Sequence, residues 1–113
     1  MIRLEPLTRD LWVQIDGSLP PLTAKGLALI ENDRPTCAVA TSVVNGTNFI
    51  VFGMRDRPNK RWFIKGFKEF KDRFLDPKKV YYALSDESLS TSPSMLWHFG
   101  FEHLKENIYI FRG

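Results

Sequence analysis

Apolar residues alternate with turn-forming residues in the first half of the chain, a pattern that predicts several short strands. A strand is expected over 2–8 and a helix over 9–15, which Gly17 closes. Three consecutive antiparallel strands are expected at 26–31, 36–44 and 48–54. Between the last two, Asn45 and Gly46 both tolerate the positive φ of a type I′ turn, so this pair predicts a tight hairpin.

A helical period replaces the strand pattern in the second half of the chain. Phenylalanine recurs at positions 63, 67, 70 and 74, the spacing of one helix face, which predicts a helix over about 60–75. The remaining expected elements are a strand at 80–84, a helix at 93–99 capped by Ser92, and a strand at 107–112. The predicted fold class is α/β (α+β), a single domain over residues 1–113 with a mixed, mainly antiparallel sheet and flanking helices.

Composition is that of a folded domain, with 43% hydrophobic and 26% charged residues in a chain of 113. Cys37 is the single cysteine, so an intrachain disulfide is excluded, and its apolar neighbours predict burial. This cysteine content is typical of a reducing cytoplasm. The first residues lack the pattern of a signal peptide, and no apolar stretch reaches the roughly 18 residues of a membrane-spanning helix, so we expect neither export nor a membrane.

Basic charge is concentrated in one segment, although the net charge is only +3. Residues 55–79 have a formal charge of +6, and the rest of the chain has −3. This segment is expected to attract anions. Nucleic acid is one candidate anion, because the segment also contains aromatic residues of the types that stack on bases, namely Trp62, Phe63 and Phe67. The helical face that Phe63 and Phe67 share indicates core instead, which makes nucleic-acid binding the least favoured function.

The run 95–102, MLWHFGFE, predicts a helix that ends at Gly100 and is followed by a buried aromatic side chain. Together with the order of the elements, this run resembles the last helix of the GNAT superfamily, the CoA-dependent N-acetyltransferases. The resemblance covers about residues 25–112, with the helices that usually follow the first strand shortened to one or lost. The pattern KRWF at 60–63 is also similar to that of small phage-encoded members of this group.

The resemblance implies that acetyl-CoA lies in a V between the fourth and fifth strands, with its pyrophosphate on the N–H groups that open the next helix. The cofactor-binding residues implied for this chain are Met54, Arg55, Arg57, Asn59, Lys60 and Arg61. The family's loop is rich in glycine, whereas this loop has none and Pro58 removes one N–H donor. Charge-assisted contacts from Arg57, Lys60 and Arg61 to CoA or another anionic ligand are the expected substitute, and a solvated basic helix start is the alternative.

No catalytic residue is assigned from the sequence. The tyrosine that the family uses as an acid, four residues before the closing glycine, corresponds to Leu96, and no Asp or Glu lies between Thr36 and Met54. The remaining groups that could act in catalysis are Asp86, Glu87, His98 and Tyr109. Each of them also has an ordinary structural explanation. No metal site is expected, because the two histidines and the cysteine do not have a recognised ligand spacing.

These observations favour an acetyl-CoA-dependent N-acetyltransferase, or a degenerate relative of one, that works by holding an amine close to the thioester. The alternative is a non-catalytic phage protein on the same scaffold that binds a host protein or the virion. The expected location is the cytoplasm, which for a phage protein is the host cytoplasm or the virion. The strand 107–112 is expected to be an exposed edge of the sheet, which would also allow a homodimer.

Overall fold

One mixed sheet of seven strands organises the computed structural model, which describes residues 1–17, 24–84 and 93–112. The strands are β1 (Ile2–Pro6), β2 (Lys25–Glu31), β3 (Arg34–Val44), β4 (Thr47–Met54), β5 (Tyr81–Leu84), β6 (Glu102–Lys105) and β7 (Ile108–Phe111). The helices are α1 (Arg9–Asp16), α2 (Lys60–Phe74) and α3 (Pro93–His98). The sheet order is β1-β2-β3-β4-β5-β7-β6, and β4 and β5 are the one parallel pair among the described strands. The predicted class, a mixed and mainly antiparallel sheet with flanking helices, is confirmed.

Two tight turns fold β2, β3 and β4 into an antiparallel meander. Asn45 and Gly46 have φ angles of 51° and 78°, so the predicted hairpin between β3 and β4 is confirmed. Asn32 and Asp33, with φ angles of 53° and 65°, make a second turn of this left-handed kind between β2 and β3. Asparagine and aspartate tolerate this region better than other residues that carry a Cβ. The two turns thereby fix the register of the three strands.

The larger part of the core lies between α2, α3 and one face of the sheet. Of the four phenylalanines at helical spacing, Phe67 and Phe70 are buried and Phe63 and Phe74 are half-buried. Phe67 stacks on Phe52 of β4, with the ring centroids 6.2 Å apart. The helical pattern therefore marks core, as predicted, and the two buried rings are not available for stacking on bases.

A smaller part of the core lies on the opposite face of the sheet, beneath α1. Trp12 and Ile15 of this helix form a buried cluster with alanine and isoleucine side chains of β2 and β3. Gly53 of β4 permits the close approach of α1, because a Cβ there would lie 3.2 Å from Cγ2 of Ile15 and 3.4 Å from two ring atoms of Trp12. Each face of the sheet is thus covered by at least one helix.

Helix α3 ends as the sequence predicts, at a glycine followed by a buried aromatic side chain. Gly100 has a φ of 92°, and its N–H donates to the carbonyl of Trp97 at 3.0 Å. The N–H of Phe101 donates to the carbonyl of Leu96 at 3.0 Å, and the Phe101 ring is buried. Ser92, the predicted cap of this helix, lies outside the described residues.

The carboxyl-terminal strand is not the edge of the sheet, and this corrects the prediction. β7 lies between β5 and β6, and β6 (Glu102–Lys105) is the edge strand that the sequence analysis missed. All four residues of β6 are exposed and only Leu104 is aliphatic, so no alternation of apolar and polar residues marks the strand. A residue other than glycine, Glu106 with a φ of 47°, makes the turn into β7.

Candidate functional site

The six predicted cofactor residues lie on the segment that joins β4 to α2. Two hydrogen bonds hold the start of this segment against β3, because the N–H groups of Arg55 and Asp56 both donate to the carbonyl oxygen of Thr36, at 2.8 and 3.3 Å. The exposed members of the set are Arg55, Arg57, Asn59, Lys60 and Arg61, and Met54 is half-buried. The predicted residues therefore extend from the last residue of β4, Met54, through the loop to the first turn of α2, which contains Lys60 and Arg61.

Asn59 is the residue that starts α2. Its side-chain Oδ1 accepts a hydrogen bond from the N–H of Trp62 at 3.2 Å, and its carbonyl accepts from the N–H of Phe63 at 2.9 Å. A side-chain oxygen in this position satisfies a backbone donor that the helix itself leaves unpaired. Asn59 therefore has a structural role at this site besides the binding role that the resemblance implies.

The carboxylate of Glu31, at the end of β2, reaches the start of α2. Both of its oxygens lie 3.3 Å from the backbone nitrogen of Asn59, whose N–H donates to them. The helix dipole favours a negative charge in this position. The sequence analysis missed Glu31 because 28 residues separate it from Asn59, and only the meander of β2, β3 and β4 brings the two together.

Donors for an anion remain at this helix start. The N–H groups of Lys60 and Arg61 precede the first intrahelical hydrogen bond, and no described residue accepts from them. Neither side chain forms an ion pair with a described residue, and the same holds for Arg55 and Arg57. Four guanidinium and ammonium groups thus face solvent beside two backbone donors, with the Glu31 carboxylate as the one opposing charge in direct contact with the helix start.

The strand that leads into this segment separates from its parallel neighbour. β4 and β5 pair at a single position, Phe49 with Tyr82, whose ring centroids are 6.3 Å apart. β4 continues to Met54 after this position, so the two strands have no further paired residues in the described part of the chain. The described part of β5 ends at Leu84, two residues after Tyr82. We call the unpaired stretch beside the last residues of β4 the cleft, and the basic segment begins where β4 ends.

Aromatic rings back this cleft on the side of α2 and α3. Phe52 of β4 packs edge-on against Phe101, with the centroids 6.5 Å apart. Phe99 stacks on Phe67 with the centroids 4.2 Å apart and meets Phe63 edge-on at 5.4 Å. These contacts tie α2 and the segment after α3 to the strand, and Phe52, Phe67 and Phe101 are buried in the core that they form.

Two of the four groups considered for catalysis lie in the described part of the chain, and they do not lie together. Leu96, at the position where the resemblance implies a tyrosine, is completely buried. His98 is exposed beside the Phe99 ring, and Tyr109 is buried beside His103, with ring centroids 5.1 Å apart. Neither His98 nor Tyr109 has a described contact with the predicted cofactor residues. The other two candidates, at positions 86 and 87, lie outside the described residues.

Cys37 is not an activated nucleophile, because burial raises the pKa of its thiol to about 12 and only the thiolate is reactive. The part of the chain that the structure describes contains no group of three or more metal-ligating side chains. The chemistry available at the site is therefore anion binding by cations and backbone N–H groups.

Two findings bear on the class of this protein. In the described residues, no helix is both long and apolar enough to span a membrane. No protein-family model, curated protein or solved structure matches the chain.

Proposed function

We propose that this protein binds an acyl-CoA in the cleft between β4 and β5 and transfers the acyl group to an amine, as the resemblance to the GNAT superfamily implies. The observation that carries the proposal is the single pairing of these parallel strands, Phe49 with Tyr82. Beyond it, β4 continues to Met54 without a described partner in β5, and the loop 55–59 then leads to the basic start of α2. In the GNAT superfamily, the cofactor lies in the V between the corresponding strands.

The residues at the mouth of the cleft fit the phosphates of CoA. Arg57, Lys60 and Arg61 are exposed, none of them pairs with a described carboxylate, and the last two also offer backbone N–H groups. Charge-assisted hydrogen bonds of this kind are about twice as strong as neutral ones. The carboxylates of Glu31 and of Asp56 in the same segment oppose an anion here, so the proposed affinity is set by several cations acting against two negative charges.

An acyl-CoA, when bound, supplies an activated acyl group, and the chain then has to orient it and exclude water. Phe52 and Phe101 are buried behind β4 and hold the strand in place, and the half-buried Phe99 is the one ring of this group with surface left for a ligand. Proximity alone accounts for a large part of the acceleration in such reactions, about 7–11 kcal/mol of the barrier. The proposed reaction therefore relies on holding the amine against the acyl carbonyl, so that the C–N bond forms and the C–S bond to CoA breaks. Water takes up the proton of the amine, and the departing CoA thiolate takes one from water.

The test is isothermal titration of CoA and acetyl-CoA into the protein at low and high salt. We expect binding in the micromolar range that weakens by about tenfold or more in the double variant Lys60→Ala, Arg61→Ala. The matched control is Lys68→Ala, Lys71→Ala, which removes the same charge from exposed positions later in the same helix. Equal weakening in both double variants, or no binding of either ligand at about 1 mM, would contradict the proposal.

A second function, a non-catalytic protein that binds a host or virion protein, is favoured by two side chains of α3. Leu96 replaces the family's acid and is fully buried, and Trp97 beside it is 77% exposed. Large exposed aromatic side chains are frequent at protein interfaces. The two functions are separated by following release of free CoA thiol with a panel of amines. Binding of acetyl-CoA without release would favour the second function.

The proposed location is the cytoplasm. The single cysteine, Cys37, is buried and unpaired, which fits a reducing compartment. An acyl-CoA-dependent enzyme also requires the compartment in which its cofactor is available.

A further inference from the structure

A second groove lies on the α2 face of the sheet, at the end remote from the candidate cofactor site. It has a volume of about 460 Å³, and its polar lining residues are Lys25, Thr41, Ser42, Asn48, Lys79 and Tyr81. Its apolar wall includes the ring of Phe74, the last residue of α2. Ligand pockets in proteins commonly have volumes of about 300–1,000 Å³, so the groove is large enough for a small organic molecule.

Strand register explains why these side chains meet. Lys25 of β2 is paired with Thr41 of β3, and cross-strand partners point to the same face of a sheet. Asn48 of β4 is paired with Val43, two positions further along β3 on that same face. Because α2 ends at Phe74, this stretch of the sheet extends past the helix, and no other described helix covers it.

The lining presents hydrogen-bond donors and positive charge. Lys25 and Lys79 are exposed, and neither forms an ion pair with a described residue. Thr41 and Asn48 add a hydroxyl and an amide, and the hydroxyl of Tyr81, which accepts from the N–H of Asp76 at 2.9 Å, keeps its own proton to donate. No carboxylate is present among the described lining residues.

The carboxyl-terminal end of α2 faces this groove, and the negative end of its helix dipole opposes an anion there. The last carbonyls of a helix carry about half a unit of negative charge in total. Two ammonium groups outweigh this, so the groove has a net attraction for an anion. The groove also differs from the cofactor site in position, since Asn48 and Met54 stand about 20 Å apart along β4.

We propose that this groove binds a small organic oxyanion, a phosphate or carboxylate attached to an apolar body. Lys25 and Lys79 neutralise the oxyanion, Thr41 and Asn48 orient it, and the ring of Phe74 contacts the body. The site is independent of the acyl-CoA cleft, because it shares no lining residue with the six predicted cofactor residues.

The experiment is a titration followed by amide chemical shifts in two-dimensional nitrogen-15 NMR spectra, with phenyl phosphate as the probe. We expect the amide signals of Thr41, Asn48 and Lys79 to move together, with a dissociation constant of about 1 mM or below. Benzoate, with the same ring and a carboxylate, should move the same signals. Inorganic phosphate, which lacks the apolar body, should bind more weakly than phenyl phosphate.

The double variant Lys25→Ala, Lys79→Ala should weaken phenyl phosphate binding by about tenfold or more, because it removes both charge-assisted contacts from exposed positions. The control Lys68→Ala, Lys71→Ala lowers the net charge equally and should leave the affinity within about twofold. Equal losses in the two double variants would overturn the proposal in favour of a bulk charge effect. It would also be overturned if the probe moved only the Lys60 and Arg61 amides, or moved none at about 10 mM.

Discussion

The carboxylate of Glu31 accepts a hydrogen bond from the backbone N–H of Asn59, with both oxygens 3.3 Å from that nitrogen. The contact joins the end of β2 to the start of α2, where the proposed cofactor site needs positive potential. It stabilises the helix start through the helix dipole, by about 0.3–1 kcal/mol. The same charge repels any phosphate that approaches the N–H groups of Lys60 and Arg61.

Replacing this carboxylate should therefore raise affinity for the cofactor. Glu31→Gln keeps an oxygen that can accept from Asn59 and removes the negative charge. We expect CoA to bind about three- to tenfold more tightly, the effect of one charge near a surface site. The free energy of unfolding should fall by no more than about 1 kcal/mol. Isothermal titration and urea unfolding measure the two quantities.

The control is Glu102→Gln, which changes the net charge equally on the exposed edge strand β6. An affinity for CoA that rises equally in both variants would show that net charge, and not the position of Glu31, governs binding. Weaker binding in Glu31→Gln would contradict the arrangement of charges proposed for the site.

Most of the fold could be predicted from the sequence because local signals agree with the tertiary structure. The Asn45-Gly46 turn and the spacing of Phe67 and Phe70 each depend on neighbours within a few residues, and both are confirmed. β6 has no such signal: its residues are all exposed, and the turn that follows it uses Glu106 in a conformation that sequence does not mark.

The residues of the candidate site also divide into those that the local sequence predicts and those that depend on tertiary structure. The four basic residues from Arg55 to Arg61 were found because they lie within seven positions, and such a charge cluster is visible in the sequence itself. Glu31 was not found, because its position at the start of α2 follows from strand pairing and not from its neighbours. Long-range contacts of this kind require the register of the meander to be known first.

Two glycines should respond in opposite ways to substitution by alanine. A Cβ at Gly26 would lie 1.9 Å from the carbonyl oxygen of Val39, a backbone atom held in the sheet, so Gly26→Ala should lower the free energy of unfolding by about 3 kcal/mol. A Cβ at Gly66 in α2 would lie 3.1 Å from Cδ2 of Leu4, a flexible end beside a cavity of about 20 Å³ that both residues line. Gly66→Ala should therefore stabilise the protein by up to about 1 kcal/mol, through helix propensity.

Urea unfolding of both variants and the wild type checks this pair, and each variant is the control for the other. If Gly26→Ala lowered the free energy of unfolding only slightly, β2 and β3 would have to be further apart than their register requires. Destabilisation by Gly66→Ala would mean that Leu4 cannot move into the cavity.

The buried thiol of Cys37 should make stability fall at alkaline pH. Burial raises its pKa from an ordinary 9.0 to about 12, and the nearby Glu31 carboxylate adds to the rise while a hydrogen bond with Thr36 lowers it. The unfolded chain therefore loses this proton at a lower pH than the folded chain does. The contribution is fully present below about pH 9 and is lost as the pH rises toward about 12.

Comparison with Cys37→Ala isolates this contribution from the titration of lysines and tyrosines. Between about pH 9 and pH 10, the free energy of unfolding should fall by about 1 kcal/mol more in the wild type than in Cys37→Ala. Urea unfolding at the two pH values measures the difference. Parallel losses in the two proteins would mean that the thiol is hydrated in the folded state.

Substitution of Leu96 tests whether the position at which the resemblance implies an acid is accessible in this protein. Its side chain is fully buried in the core that also holds Phe101, so a larger polar residue has neither space nor a partner for its hydroxyl. Leu96→Tyr should lower the free energy of unfolding by about 1–3 kcal/mol and leave the rate of thiol release from acetyl-CoA unchanged. Leu96→Met, which conserves volume, should cost less than about 1.5 kcal/mol.

A stable Leu96→Tyr variant that released thiol faster would contradict this expectation, because its hydroxyl would then have to reach the cleft between β4 and β5. The expected result, lower stability with an unchanged rate of thiol release, would show that a hydroxyl at position 96 takes no part in the reaction. If transfer occurs in the wild type and Leu96→Tyr does not change it, the acid is not supplied from this turn of α3. Proton transfer would then pass through water at the mouth of the cleft, and the rate would depend on how closely the amine is held to the acyl carbon.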